Sequence, residues 1–196
     1  CMQLRNLLQR MERSPVIAAV REDKFEMALD SSAEVLFYLS ADLLTVGKRV
    51  RQAHEKHKSI LIHLDLAEGI GRDRTGVAYL AQCGADGIIT TKAQLIRYAK
   101  EAGLVTVQRF FALDSQGMGA VEEMRRSTAP HLMEILHGVI TKAITRADHP
   151  IVVDANTAYI TKAYDMLNVH RIIIAVGAAL TLLVPVLRRL LRRIDT

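Results

Sequence analysis

Four charged residues lie within or just after short apolar segments, where they could bind a small polar ligand. They are Asp65, Lys92, Arg109 and Glu134. Carboxylates accept hydrogen bonds from hydroxyl groups or hold cations, whereas a lysine ammonium or an arginine guanidinium binds phosphate and carboxylate. The carboxyl ends of buried parallel strands are where α/β proteins place their ligand sites. The pattern therefore predicts one polar ligand site built from several strand ends.

Arg109 and Glu134 are the two charges that are hardest to place on a solvated surface. Arg109 follows three β-branched residues at 105–107, which are typical of a buried strand that we expect to end near Gln108. Glu134 lies within an apolar pentapeptide, and a buried carboxylate needs a cationic partner. Either Arg109 or Lys92 could be that partner, so a structural ion pair stays open beside a ligand-binding role.

Asp65 and Lys92 also have ordinary structural explanations. Asp65 could cap the N-terminus of the following helix, and exposed lysines are common where a helix begins. The histidines at 131, 137 and 149 have no metal-binding spacing, and no set of nucleophile, base and acid can be read from the sequence. The sequence therefore predicts no metal ion and no catalytic residue. An enzyme that uses Lys92 or Glu134 for proton or Schiff-base chemistry stays an alternative.

Apolar strand segments alternate with helical segments along the whole chain. The predicted strands cover residues 16–20, 35–39, 60–66, 87–90, a fifth beginning at 105, 132–136, 151–153 and 172–176. Regular alternation with short connections predicts a parallel sheet, and eight units are the number that closes a (β/α)8 barrel. We therefore predict an α/β fold, a small TIM-like barrel of parallel strands, as a single domain over 1–196. A doubly wound open sheet is the alternative.

The composition is that of a folded protein with a basic surface. Half of the 196 residues are hydrophobic and 24% are charged, with a formal net charge of +5 and a pI of about 9.4. These values exclude a disordered chain and weakly favour a polyanionic partner. The two cysteines, Cys1 and Cys83, form no disulfide framework or zinc motif, which predicts a reducing, cytoplasmic location.

Five short motifs occur in an order that is shared with one bacterial protein family. They are Pro-Val-Ile-Ala-Ala-Val at 15–20, His-Leu-Asp-Leu at 63–66 with Gly69, Asp-Gly-Ile-Ile-Thr-Thr-Lys at 86–92, Gln-Arg-Phe-Phe at 108–111 with Leu-Asp-Ser at 113–115, and Glu-Ile-Leu at 134–136 with Gly138. Together they resemble the glycerol-3-phosphate-responsive antiterminators, which regulate glycerol uptake operons. The resemblance covers about residues 14–153, and the segment at 108–115 is its most specific part.

This resemblance implies a small barrel without established catalysis that binds both a metabolite and an RNA. Members of the family are taken to bind glycerol 3-phosphate and a leader mRNA, and thereby to prevent premature termination of glycerol-catabolic transcripts. By motif, the effector site would comprise Asp65, Gly69, Lys92, Arg109, Glu134 and Gly138. The expected partners are therefore leader mRNA and glycerol 3-phosphate, and no cofactor is expected.

The chain departs from the family where phosphate would be bound. The family has a Gly-Gly turn after the seventh strand and a Ser/Thr-rich turn after the eighth, and both would present backbone amides to phosphate. This chain has Asp154 and Ala155 at the first turn, which leaves Gly177 and Ala178 at the second as candidates for phosphate binding. Because a carboxylate repels a phosphate, the sequence predicts weak binding of glycerol 3-phosphate.

The C-terminal part of the chain carries an apolar run followed by a basic amphipathic segment. Residues 172–187 are apolar but include Pro185, and four arginines follow at Arg188, Arg189, Arg192 and Arg193. A divergent basic helix over about 178–196 could close the barrel, contact RNA or a membrane surface, or be foreign to the family. A membrane-associated sensory protein stays an alternative function, and assembly into a homodimer stays open.

Overall fold

The computed structural model describes residues 2–14, 16–111, 127–136, 151–154 and 172–177. The strands are β1 (Val16–Val20), β2 (Val35–Tyr38), β3 (Ser59–His63), β4 (Gly87–Thr90), β5 (Val105–Phe111), β6 (Leu132–Leu136), β7 (Ile151–Asp154) and β8 (Ile172–Gly177). The α-helices of these residues are α1 (Met2–Arg13), α2 (Phe25–Asp30), α3 (Val46–Glu55), α4 (Arg74–Gln82) and α5 (Ala93–Glu101).

The strands form a closed barrel in which each strand runs parallel to both of its neighbours. β1 pairs with β2 on one side and with β8 on the other, where Ala18 lies opposite Val176. The ladder between the first and last strands closes the sheet, so the predicted (β/α)8 barrel is confirmed. The doubly wound open sheet is excluded, because an open sheet leaves its edge strands unpaired.

Alternating side chains divide the apolar core into a layer inside the barrel and a layer between the barrel and the helices. The inner layer contains Ile17, Val35, Phe37, Leu61, Ile89, Val105, Val107 and Leu132. Their neighbours along the strands, such as Leu36, Ile62 and Ile88, pack in the outer layer. Side chains of a strand point alternately to its two faces, and a parallel barrel buries both faces. The strands are therefore apolar almost throughout.

Helix α1 closes the amino end of the barrel. Its Leu7 and Met11 side chains are 1% and 2% exposed and pack with the inner layer. Arg13 near the end of the helix donates a hydrogen bond of 2.7 Å to Glu34, which directly precedes β2. Because this end of the barrel is filled, we expect a ligand to bind at the opposite end, as it does in other barrels of this type.

Two strand ends differ from the sequence-based prediction by about three residues, and the others that differ do so by one. β5 continues to Phe111 instead of ending near Gln108, whose buried side chain accepts a hydrogen bond of 2.6 Å from Thr128. β3 ends at His63 and is followed by a single 3-10 turn, Leu64–Leu66. The helices predicted after β5, β6 and β7, and the basic helix at 178–196, lie outside the described residues.

Candidate ligand site at the barrel mouth

The interior of the barrel changes from apolar to polar near the carboxyl ends of β3, β5 and β6. Leu61, Val107 and Leu132 belong to the inner apolar layer. The residues two positions further along each strand face the same way, one layer closer to the carboxyl end. We call this polar set the mouth layer, and it comprises His63, Arg109 and Glu134.

Arg109 and Glu134 form a bidentate ion pair within the mouth layer. They lie directly opposite each other in the register of β5 and β6. Arg109 Nε donates to one carboxylate oxygen at 2.7 Å, and Nη2 donates to the other at 2.9 Å. The two side chains are only 13% and 1% exposed. The partner of Glu134 is therefore Arg109 and not Lys92, and much of the guanidinium fork is already used within the protein.

Asp65 ties the ends of β3 and β4 together. One carboxylate oxygen accepts a hydrogen bond of 2.7 Å from the Thr90 hydroxyl, and the other accepts bonds of 2.7 and 2.8 Å from the Thr91 amide and hydroxyl. Burial opposes the charged form of Asp65, but these hydrogen bonds outweigh it and lower the pKa of the carboxyl. The helix-capping alternative is wrong, because Asp73 caps α4 by accepting from the Gly76 amide.

Gly69 and Lys92 lie on loops at the same end of the barrel. Gly69 has a φ of +69°, and a Cβ atom there would come within 3.0 Å of the Leu43 side chain. A glycine is therefore needed for the turn itself. Lys92 occupies the N-cap position of α5 and is exposed, and its amide donates a bond of 3.1 Å to the Thr90 hydroxyl. Lys92 therefore lies at the rim of the mouth with an exposed side chain.

His63 is the one member of the mouth layer that sequence reasoning did not single out. Its side chain is 2% exposed, and neither ring nitrogen has a hydrogen-bond partner among the described residues. Desolvation, reinforced by the positive charge of Arg109, lowers the pKa of His63 to about 4, although the Asp65 carboxylate opposes this. The imidazole is therefore neutral at neutral pH. The signal was the alternation of β3, which places the residue two after Leu61 inside the barrel.

The last two strands carry two of the remaining candidate residues at their carboxyl ends. Gly177 ends β8 and lies opposite Ala19 of β1, so its backbone is at the rim. Asp154 ends β7 and lies opposite Ala175. Gly138 and Ala178 lie outside the described residues. Within the described ranges, no three His, Cys, Asp or Glu side chains are grouped as a metal ion would require.

The sequence matches the family model described as glycerol-3-phosphate responsive antiterminator over residues 16–155. This chain belongs to that family. The matched region covers β1 to the end of β7, and it includes all three residues of the mouth layer. The family is one of regulatory antiterminators, so the predicted resemblance is confirmed.

One curated protein and one solved structure are similar to this chain in sequence or in fold. The uncharacterized protein YgcP of Escherichia coli (strain K12) is 30% identical over 140 residues, which cover 70% of this chain and 73% of that protein. The crystal structure of the glycerol uptake operon antiterminator regulatory protein of Listeria monocytogenes superposes with a TM-score of 0.71 at 22% identity, covering 83% of this chain and 91% of that one.

A second solved structure supports the same fold. A glycerol uptake operon antiterminator-related protein of Thermotoga maritima superposes with a TM-score of 0.73 at 24% identity, covering 87% of this chain and 97% of that one.

The start of the apolar C-terminal run, which raised the membrane alternative, is β8 of the barrel. None of the described helices combines the length and the apolar character that crossing a bilayer requires.

Proposed function

We propose that this protein is an RNA-binding antiterminator of glycerol-catabolic transcripts, and that it senses glycerol 3-phosphate at the mouth of its barrel. The family to which the chain belongs is described as responsive to this metabolite. The observation that carries the placement of the site is the mouth layer, where a buried polar set replaces the apolar interior at the open end of the strands. Lys92 adds a cation at the rim of the same end.

The geometry of the mouth favours binding over catalysis. Glu134 is held as a carboxylate by two hydrogen bonds from Arg109, and a general acid or base has to exchange its proton at the operating pH. A Schiff-base lysine is activated by desolvation in a buried pocket, whereas Lys92 is exposed. Neither Glu134 nor Lys92 is therefore placed as the enzyme alternative requires.

The RNA-binding part of the proposal is tested with the leader RNA of a glycerol-catabolic gene. We expect the affinity to fall linearly with salt on logarithmic axes, because phosphate contacts release counterions, and to rise when glycerol 3-phosphate is added. The measurement is a filter-binding or fluorescence titration at several salt concentrations, with a shuffled RNA of equal length as the control. Equal affinity for the two RNAs, with no response to the metabolite, would contradict the proposal.

Asp154 is expected to weaken the effector affinity of this protein. Changing Asp154→Gly together with Ala155→Gly removes a negative charge and restores a backbone that phosphate can approach closely. We expect calorimetric titration with glycerol 3-phosphate to show roughly tenfold tighter binding, a difference of about 1.4 kcal/mol. The variant Asp154→Asn is the control that removes only the charge. Micromolar binding by the unaltered protein would show that Asp154 does not oppose the phosphate.

A further inference from the structure

His63 is buried with an unused capacity for hydrogen bonding. Both ring nitrogens lack a partner among the described residues, although the side chain is only 2% exposed. Leaving such a group unpaired is unfavourable, and buried polar groups in folded proteins are nearly always satisfied. If packing alone decided the residue at this position, a leucine would fill the interior without that cost, as Leu61 does one layer below. Among the described residues, the position therefore retains a polar ring that is available to a ligand.

The surroundings of His63 determine what kind of partner it can take. Desolvation and, second to it, the Arg109 charge hold the ring neutral, and a neutral imidazole has one donor and one acceptor nitrogen. An anion could use only the donor nitrogen, whereas a hydroxyl group can bind at either nitrogen, donating to the acceptor or accepting from the donor. Of the cationic residues described at the mouth, Arg109 is paired with Glu134, whereas Lys92 is exposed at the start of α5 and suits a phosphate. The ring is thus matched to an uncharged hydroxyl.

We propose that His63 recognises a hydroxyl group of the effector, so that the alcohol end of a phosphorylated polyol enters the barrel and the phosphate stays at the rim. This inference rests on the proposed effector site and identifies the hydroxyl group as the part of the ligand that His63 binds. Asp65 does not compete for this role, because three hydrogen bonds from Thr90 and Thr91 occupy its carboxylate. Glu134 is likewise engaged by Arg109.

Two phosphate esters that differ only in their hydroxyls test the proposal. Glycerol 3-phosphate has two hydroxyl groups, and propyl phosphate has the same carbon chain with none. We expect calorimetric titration of the unaltered protein to show about tenfold tighter binding of glycerol 3-phosphate, as one or two net hydrogen bonds would produce. In His63→Leu this preference should disappear while propyl phosphate binds as before. His54→Leu, at an exposed histidine on α3, is the matched control and should keep the preference.

The empty protein and the ring itself supply two further measurements. His63→Leu removes two buried polar atoms that have no partner among the described residues, so its melting temperature without ligand should equal or exceed that of the unaltered protein. In the unaltered protein, the imidazole nitrogen resonances of His63 should shift on adding glycerol 3-phosphate and not on adding propyl phosphate. This nuclear magnetic resonance readout decides the matter even if the variant does not fold.

The outcomes separate this inference from the proposed function. Equal affinity for the two esters in the unaltered protein, or a preference that survives in His63→Leu, would overturn the role of His63 and leave the effector site standing. Failure of both esters to bind would overturn the effector site and the inference with it. A His63→Leu protein that melts markedly lower than the unaltered one would show that the ring has a structural partner and would also overturn the inference.

Discussion

Replacing Arg109 with methionine is expected to destabilise the protein by roughly 3–5 kcal/mol, as measured for broken buried ion pairs. Glu134 is 1% exposed, and both of its carboxylate oxygens accept hydrogen bonds from the guanidinium. Removing the cation leaves the buried carboxylate without that compensation, whereas methionine retains most of the apolar volume. Urea denaturation followed by circular dichroism gives the free energy of unfolding for comparison with the unaltered protein.

Two further variants assign this loss to the buried pair. Arg109→Met combined with Glu134→Leu removes both charges and should recover most of the stability, since an apolar pair of similar volume is often neutral or better. Lys56→Met breaks an exposed pair with Asp30, whose side chains are 55% and 75% exposed, and should cost no more than about 1 kcal/mol. A loss near that of Lys56→Met for Arg109→Met alone would show that the mouth is well solvated and the pair weak.

A third variant in this series retains the positive charge at position 109 but loses the planar guanidinium. Arg109→Lys keeps a cation opposite Glu134 but cannot donate two parallel hydrogen bonds to its carboxylate. An intermediate stability is therefore the expected result. Because the structure places Arg109 in the ion pair, we expect this change to alter melting of the empty protein more than it alters affinity for an anionic ligand.

Acidification from pH 7 to pH 4 is expected to reduce stability through His63 by roughly 3 kcal/mol. The pKa of His63 falls from 6.5 to about 4 in the folded protein, while in the unfolded chain it stays near its ordinary value. Between these values the unfolded chain binds the proton and the folded protein does not, so stability decreases as the pH falls. At about 1.36 kcal/mol per pH unit, the interval between the two pKa values gives the expected loss of roughly 3 kcal/mol. Above pH 6.5 none of this stability is lost, because His63 is then neutral in both the folded and the unfolded protein.

The variant His63→Leu isolates this part of the acid response. It should flatten the decrease in unfolding free energy between pH 6.5 and 4 relative to the unaltered protein. His131, whose pKa is lowered by desolvation and by the charge of Lys100, contributes in the same direction and stays present in both proteins. The pKa of Asp65 is also lowered, and its contribution is lost only at more acidic pH. Parallel pH profiles for the two proteins would show that the folded protein protonates His63 near 6.5.

The barrel could be predicted from the sequence because its determinants are local. Apolar strands of four to seven residues alternate with amphipathic helices, and each pattern is decided by neighbouring residues along the chain. Eight such units, together with the family motifs, were sufficient to predict the fold and to predict which end of the barrel carries the polar groups. The buried positions of Arg109 and Glu134 also followed from the apolar residues around them.

The pairing of the polar groups was decided only by the tertiary structure. Arg109 meets Glu134 instead of Lys92 because the register of β5 and β6 places them opposite each other, although they are 25 residues apart in sequence. Asp65 is bound by donors at the end of β4 instead of capping α4. Neither ring nitrogen of His63 has a partner among the described residues, where Asp65 accepts from Thr90 and Thr91. Contacts between strands depend on register and barrel closure, which no local pattern of residues encodes.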